Sequence, residues 1–193
     1  MFKVIDFIQT SRDRYLEELG RFLAIPSISA LPQHAGDVRQ CAGWLADEMR
    51  RIGLENVSVM ETPGHPVVYG DWLHAEGAPT ILFYGHYDVQ PVDPVELWES
   101  PPFEATVRDG EIYARGAADD KGQVFMHLKA IEAWLSQEGR LPVNIRLLIE
   151  GEEEVGSAHL EEFVQTHRDL LQADVVVVSD SAMFDRGVPS ICY

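Results

Sequence analysis

The sequence predicts an α/β fold, a mixed and largely parallel sheet layered with helices. Three apolar runs carry that expectation: "TILFYG", "VNIRLLI" and "DVVVVS". They read as strands, and segments of helical periodicity separate them, the alternation that builds a sheet covered by helices. Each run also hands over at its carboxyl end to His, Asp or Glu, and open α/β sheets place their ligand crevice at that edge.

The elements follow in order. Phe2, Ile5, Ile8, Leu16, Leu19 and Leu23 recur near helical spacing, which predicts one helix over residues 2–24, stopped at Pro26. A second helix is expected from Asp37 to Ile52, with Cys41, Leu45, Met49 and Ile52 on one face and Gly53 closing it. "VSVMET" and "PVVYGDWL" alternate like strands. "TILFYGHYD" opens as a continuous apolar run, the pattern of a strand covered on both faces. "FEATVRDGEIYARG" reads as a hairpin turning at Asp109-Gly110 in a type I′ turn. A helix from about Lys121 to Leu135 carries Val124, Leu128, Ile131 and Leu135 as its core stripe. "VNIRLLIE" is a buried strand, "GSAHLEEFVQTH" introduces a short helix, and "ADVVVVSD" is a further apolar strand. "GVPSICY" reads as the start of another strand.

Composition narrows the function classes. The 193 residues hold 15 Lys and Arg against 32 Asp and Glu, a formal charge of −17. That balance argues against nucleic-acid and anionic-membrane partners, which require basic patches. The first residues lack the apolar block of a signal peptide or membrane span. Cys41 and Cys192 match no metal-ligand spacing. They read as reduced thiols of a cytoplasmic protein, with a disulfide as the alternative.

The polar strand ends carry the chemistry. "ILFYG" ends in His86 and Asp88, "VNIRLLI" runs into "EGEEE" at 150–154, and "DVVVVS" ends in Asp180. Asp119 and Asp120 stand where the hairpin gives way to a helix. Alone, each has an ordinary reading: an acidic turn in solvent, a structural histidine, a helix N-cap at Asp119 or Asp120, a loop aspartate. Together they could deliver one imidazole and several carboxylates to one sheet edge. Such a set suits zinc, manganese or cobalt, and carboxylates sharing one crevice repel unless cations neutralise them. His34, His65, His74, His127, His159 and His167 lack comparable context and read as structural or surface residues.

"YGHYDVQP", "RGAADDKG", "EGEEEVGS" and "VVVVSD" together resemble the zinc-dependent peptidase family of carnosinase-type dipeptidases, aminoacylases and succinyl-diaminopimelate desuccinylases. "GHYDVQPVD" with "LWESPPFEATVRDGEIYARGAADDKG" is most similar to the dipeptidase branch. The resemblance implies a dinuclear metal centre hydrolysing an amide bond. It casts His86 and Asp180 as ligands of the first metal, Asp119 as the bridge and Glu154 as a ligand of the second. Asp88 is then the carboxylate orienting His86, and Glu153 the general base. Glu150 and Glu152 receive no role. The Asp119-Asp120 peptide is implied to be cis.

The implied substrate is a dipeptide, with an N-acyl amino acid as the alternative and a catalytically inactive metal- or partner-binding chain as a third reading. The implied metals are two divalent ions, zinc first. The family's lid domain, its usual dimer surface, and a further histidine ligand of the second metal find no counterpart in residues 1–193. The expectation is therefore part of a catalytic domain, belonging to a homodimeric parent.

Overall fold

The computed structural model describes residues 1–185, 187, 188 and 190, so Cys192 and most of "VPSICY" lie outside the described residues. The chain opens with two helices, α1 (Phe2–Thr10) and α2 (Arg12–Leu23), where the periodicity predicts one. The break falls at Ser11, whose φ and ψ of −90° and 3° leave the helical well. The Thr10 hydroxyl donates to the carbonyls of Asp6 at 2.9 Å and Phe7 at 3.1 Å. Such side-chain bonds to the preceding turn compete with helix continuation.

Helix α3 (Ala35–Arg51) follows a 3₁₀ turn at Pro32–His34 and ends before Gly53, whose φ of 97° is open to glycine. Then come β1 (Glu55–Met60), β2 (Val67–Trp72) and β3 (Thr80–His86). The predicted hairpin is β4 (Thr106–Arg108) and β5 (Glu111–Tyr113). Asp109 and Gly110 both have positive φ, as a type I′ turn requires. Helix α4 (Lys121–Glu138) runs past Leu135 to a left-handed Gly139. Strand β6 (Asn144–Glu150), helix α5 (Leu160–Thr166) and strand β7 (Val175–Val178) complete the described elements.

The sheet order is β1-β2-β6-β3-β7. β3 pairs in parallel with β6 and β7, while β2 is antiparallel to both β1 and β6. The sheet is thus mixed, with its parallel block around the strands that end in polar residues. Alternation along the strands divides the core between two faces. Val68, Leu147 and Ile149 face α3 and α4, packing with Leu45, Met49, Val124 and Leu128. Val67, Tyr69, Leu82 and Leu148 pack on the other side with Phe163 and Leu171.

β2 is buried at every position, although its sequence alternates. Its polar member, Asp71, is satisfied there by the Tyr69 hydroxyl at 2.8 Å and the Asn56 amide at 2.9 Å. β7 departs the other way: Val175, Val176 and Val178 are exposed, because the strand pairs only with β3 among the described residues. No helix among those residues is long and apolar enough to cross a membrane.

Candidate metal centre

The site forms where the parallel block ends. His86 is the last residue of β3 and stands opposite Glu150, the last of β6. β7 delivers Asp180 two residues beyond its end, and Asp119 precedes α4. Around the buried His86 ring, Nε2 lies 3.1 Å from Asp119 Oδ1, 3.5 Å from Asp180 Oδ2 and 3.9 Å from Glu153 Oε2. Ligand atoms of His86, Asp119 and Asp180 all lie within 4.8 Å of one another.

The other ring nitrogen is held from behind. Nδ1 faces the Asp88 carbonyl at 3.1 Å and the Asp88 carboxylate at 3.3 Å. Asp88 is fully buried and satisfied by three further donors. The Ser29 hydroxyl gives to Oδ2 at 2.6 Å, the Glu154 N–H to Oδ2 at 3.1 Å, and the Glu153 N–H to Oδ1 at 3.3 Å. One carboxylate therefore fixes the histidine ring and the glutamate turn together. Ser29 reaches it because residues 27–29 lie alongside 87–89: Ile28 bridges Val89, the Val89 N–H donates to the Ser27 carbonyl, and the Ser27 hydroxyl donates to the Tyr87 carbonyl.

The Asp119–Asp120 peptide is cis, as the resemblance implies. Asp120 occupies the N-cap position of α4, yet its side chain makes no capping bond. Instead Oδ2 accepts the His86 main-chain N–H at 3.1 Å. Gly85 makes room for this contact. A Cβ there would lie 2.6 Å from Asp120 Oδ2 and 2.8 Å from Val124 Cγ2, closer than a real Cβ tolerates.

The four glutamates divide into two pairs. Glu150 accepts from the hydroxyls of Tyr84 and Ser157, and Glu152 pairs with His159 at 2.9 Å. They tie the turn to its surroundings. Glu153 faces the His86 ring, and Glu154 lies to one side, where the Gln90 side-chain amide donates to its Oε2 at 2.7 Å. The geometry thus gathers His86, Asp119, Asp180 and Glu153 around one ring nitrogen. Glu154 sits outside that group. His65 and His159 are engaged with Ser29 and Glu152. His127 holds the Ser179 hydroxyl at 2.6 Å, next to Asp180.

Electrostatics show what the cluster demands. Burial opposes a charged His86 ring, but Asp88, Asp120 and Asp180 outweigh it and push the imidazolium up to about 10. Burial raises the Asp120 carboxyl to about 7, against the opposing pull of His86 and with Asp180 and Asp119 adding. Burial also raises Glu154, opposed by its bond from Gln90 and reinforced by Asp119. A proton on His86 answers an excess of negative charge that a divalent cation would answer more fully. One neutral imidazole nitrogen with two carboxylates is a three-ligand set of the kind that leaves a catalytic metal an open position. The residues present fit a divalent metal.

Gln90 and Ser29 contact the candidate site although sequence reasoning gave them no role, and Asp120, read as a possible N-cap, instead accepts the His86 main-chain N–H. Gln90 and Asp120 lay inside the quoted motifs; Ser29 carried no signal, because its partner is 59 residues away.

The profile of peptidase family M20/M25/M40 matches residues 82–192. The human Beta-Ala-His dipeptidase is 33% identical over 99% of this chain, and the Cysteinylglycine-S-conjugate dipeptidase of Corynebacterium striatum is 31% identical over 94%. The chain spans 40% of the length of each. The crystal structure of human carnosine dipeptidase 1 superimposes with a TM-score of 0.87 at 34% identity, over 93% of this chain and 41% of that one.

Proposed function

This chain belongs to peptidase family M20/M25/M40, and from that premise we propose that its site serves metal-dependent hydrolysis of the amide bond of dipeptides. One observation carries the reading: ligand atoms of His86, Asp119 and Asp180 lie within 4.8 Å of one another, close enough for one ion to be shared among them, with Glu153 at their edge. The names of the dipeptidase relatives favour a dipeptide over an N-acyl amino acid.

His86, Asp119 and Asp180 would hold a first metal, and Asp119 with Glu154 would contribute to a second. Zinc suits the imidazole and carboxylate donors best, and manganese or cobalt are the substitutes. When bound, such ions polarise a carbonyl and make water more acidic. The remaining work belongs to the chain. Asp88 keeps the His86 ring aimed by occupying its far nitrogen. Glu153 lies outside the close three-ligand group and is partly exposed, so its carboxylate is available to water. It takes a proton from the attacking water and returns it to the leaving amine.

The catalytic unit of the proposal extends beyond the described fold to a lid domain, a homodimer contact and a further ligand for the second metal. The 40% share of the relatives' length and the exposed apolar edge of β7 support this. A cytoplasmic setting belongs to the same reading, supported by the buried free thiol of Cys41.

The test is an assay of the full-length protein, stripped with chelator and reloaded with zinc or manganese, against β-alanyl-histidine, cysteinyl-glycine and N-acetyl amino acids. Metal-restored turnover of dipeptides above the acyl substrates supports the proposal. Turnover indifferent to chelation would refute it.

A further inference from the structure

The segment ending β3 meets the glutamate turn through two residues spaced i and i+2. Asp88 is buried and accepts the N–H groups of Glu153 and Glu154. Gln90 stands two residues on, at the surface. Its side-chain amide donates to Glu154 Oε2 at 2.7 Å, and at 3.4 Å it also reaches the Glu154 main-chain carbonyl. Glu154 is therefore gripped at its N–H by Asp88, and at its carbonyl and one carboxylate oxygen by Gln90. A glutamate side chain has three rotatable torsions, and a grip at both ends selects among its rotamers.

Taken alone, an exposed Gln–Glu hydrogen bond contributes little to stability, because water competes for both partners. The position of this one gives it another use. It occupies one oxygen of Glu154 and leaves the other for coordination. A neutral amide does this without adding a charge that would repel or replace a cation. Lys or Arg there would compete with the metal, and Asp or Glu would add to the carboxylate crowding.

We propose that Gln90 is a positioning residue for the second metal, presetting the Glu154 carboxylate through its side-chain amide. This rests on the reading of Glu154 as a ligand, which goes no further than naming that ligand. Partners that orient metal ligands typically change affinity by about 10–100-fold when lost, and an exposed one belongs at the low end. The inference also makes Gln90 selective: its side chain hydrogen-bonds Glu154 and, among the described residues, none of His86, Asp119 or Asp180.

The experiment titrates metal-free full-length protein with zinc against a chromophoric chelator, for the wild type, Gln90→Met, Glu154→Ala and Asp180→Ala. Methionine keeps the length and flexibility of glutamine and removes both donors. Gln90→Met should weaken, by about tenfold, the binding step that Glu154→Ala disrupts. The step that Asp180→Ala disrupts, and the unfolding temperature of the metal-free protein, should be unchanged. If Glu154→Ala weakens a step and Gln90→Met weakens none, the role of Gln90 is overturned while Glu154 stands as a ligand. A loss spread over both steps with a lower metal-free unfolding temperature makes Gln90 merely structural and overturns it too. If Glu154→Ala itself leaves zinc binding untouched, the ligand reading falls first and Gln90 with it.

Discussion

Asp88 stands with its carboxylate 3.3 Å from Nδ1 of His86, both side chains wholly buried. The same carboxylate accepts the N–H groups of Glu153 and Glu154 and the Ser29 hydroxyl, so the ring and the glutamate turn share one anchor. Asp88→Ala removes that anchor and takes the acceptor from three part-buried donors, which is costly. Zinc affinity should fall by about 10–100-fold. Turnover at saturating metal should also fall, because the Glu153 turn loses its register. A variant that binds zinc normally by direct titration would show that the carboxylate is dispensable, the ring being held by packing and by the main-chain carbonyl of residue 88.

Glu153→Gln separates proton transfer from metal binding. Glutamine preserves shape but cannot accept a proton from water at neutral pH. Because Glu153 lies 3.9 Å from His86 Nε2, outside the close set of His86, Asp119 and Asp180, metal content should hold near the wild-type level. Turnover of a dipeptide should drop by about 10²- to 10⁴-fold. Parallel metal analysis and steady-state kinetics decide it. Near-normal turnover, or metal lost in step with activity, would each remove Glu153 from the role of base.

Gly85→Ala should damage the site without touching a ligand. The new methyl would crowd Asp120 Oδ2 and Val124 Cγ2, and the carboxylate would have to leave the His86 N–H. Overpacking of this kind costs about 1–3 kcal/mol. Denaturant unfolding of the metal-free protein should report that loss, and zinc affinity should fall with it. Wild-type stability in this variant would mean that Asp120 moves aside freely.

Much of this site was legible because apolar strands advertise where they stop. His86, Asp119 and Asp180 come together since β3 and β7 are parallel neighbours and α4 begins beside them, and the apolar runs predicted that layer. The glutamate cluster was half legible. Composition and spacing alone do not separate Glu150 and Glu152, which serve Tyr84, Ser157 and His159, from Glu153 and Glu154, which face or flank the site; only the motif resemblance drew that line, because the division depends on which way a short turn points. Ser29 was invisible because its contact crosses the fold. The break at Ser11 was hidden for a different reason: apolar periodicity continues across it, and Thr10 interrupts the helix by hydrogen bonding that periodicity does not register. β2 alternates in sequence but is covered on both faces, since its place between β1 and β6 was not written in its own residues.

Away from the site, acid lability should trace to the buried ion network between α2, α3 and α4. The Lys129 ammonium contacts Glu18 at 2.6 Å, Glu132 at 3.1 Å and Glu48 at closer range, while Arg51 reaches Glu48 and Glu132, and Arg14 reaches Glu18 and Glu132. Three carboxylates able in principle to hold a metal are thus already neutralised by three cations. Burial pushes the Glu48 and Glu132 carboxyls up, but hydrogen bonds from Arg51 and Lys129 outweigh it and hold both below the ordinary carboxylate value. A depressed folded pKa means the unfolded chain binds more protons in acid. The contribution of these groups is then fully present above about pH 4.5, near the unfolded value. It is lost as pH falls through the lowered folded pKa. Denaturant unfolding of the metal-free protein from pH 7 to 3 should show Glu132→Gln losing less stability over the acid part of that range than the wild type. Lys129→Met leaves three carboxylates facing only Arg14 and Arg51, so it should destabilise the fold at neutral pH by less than the roughly 3–5 kcal/mol of a fully unpaired buried charge, and recover part of that loss in acid, where Glu48 and Glu132 protonate. Parallel pH profiles for wild type and Glu132→Gln would show that the network does not set the acid limit of the fold.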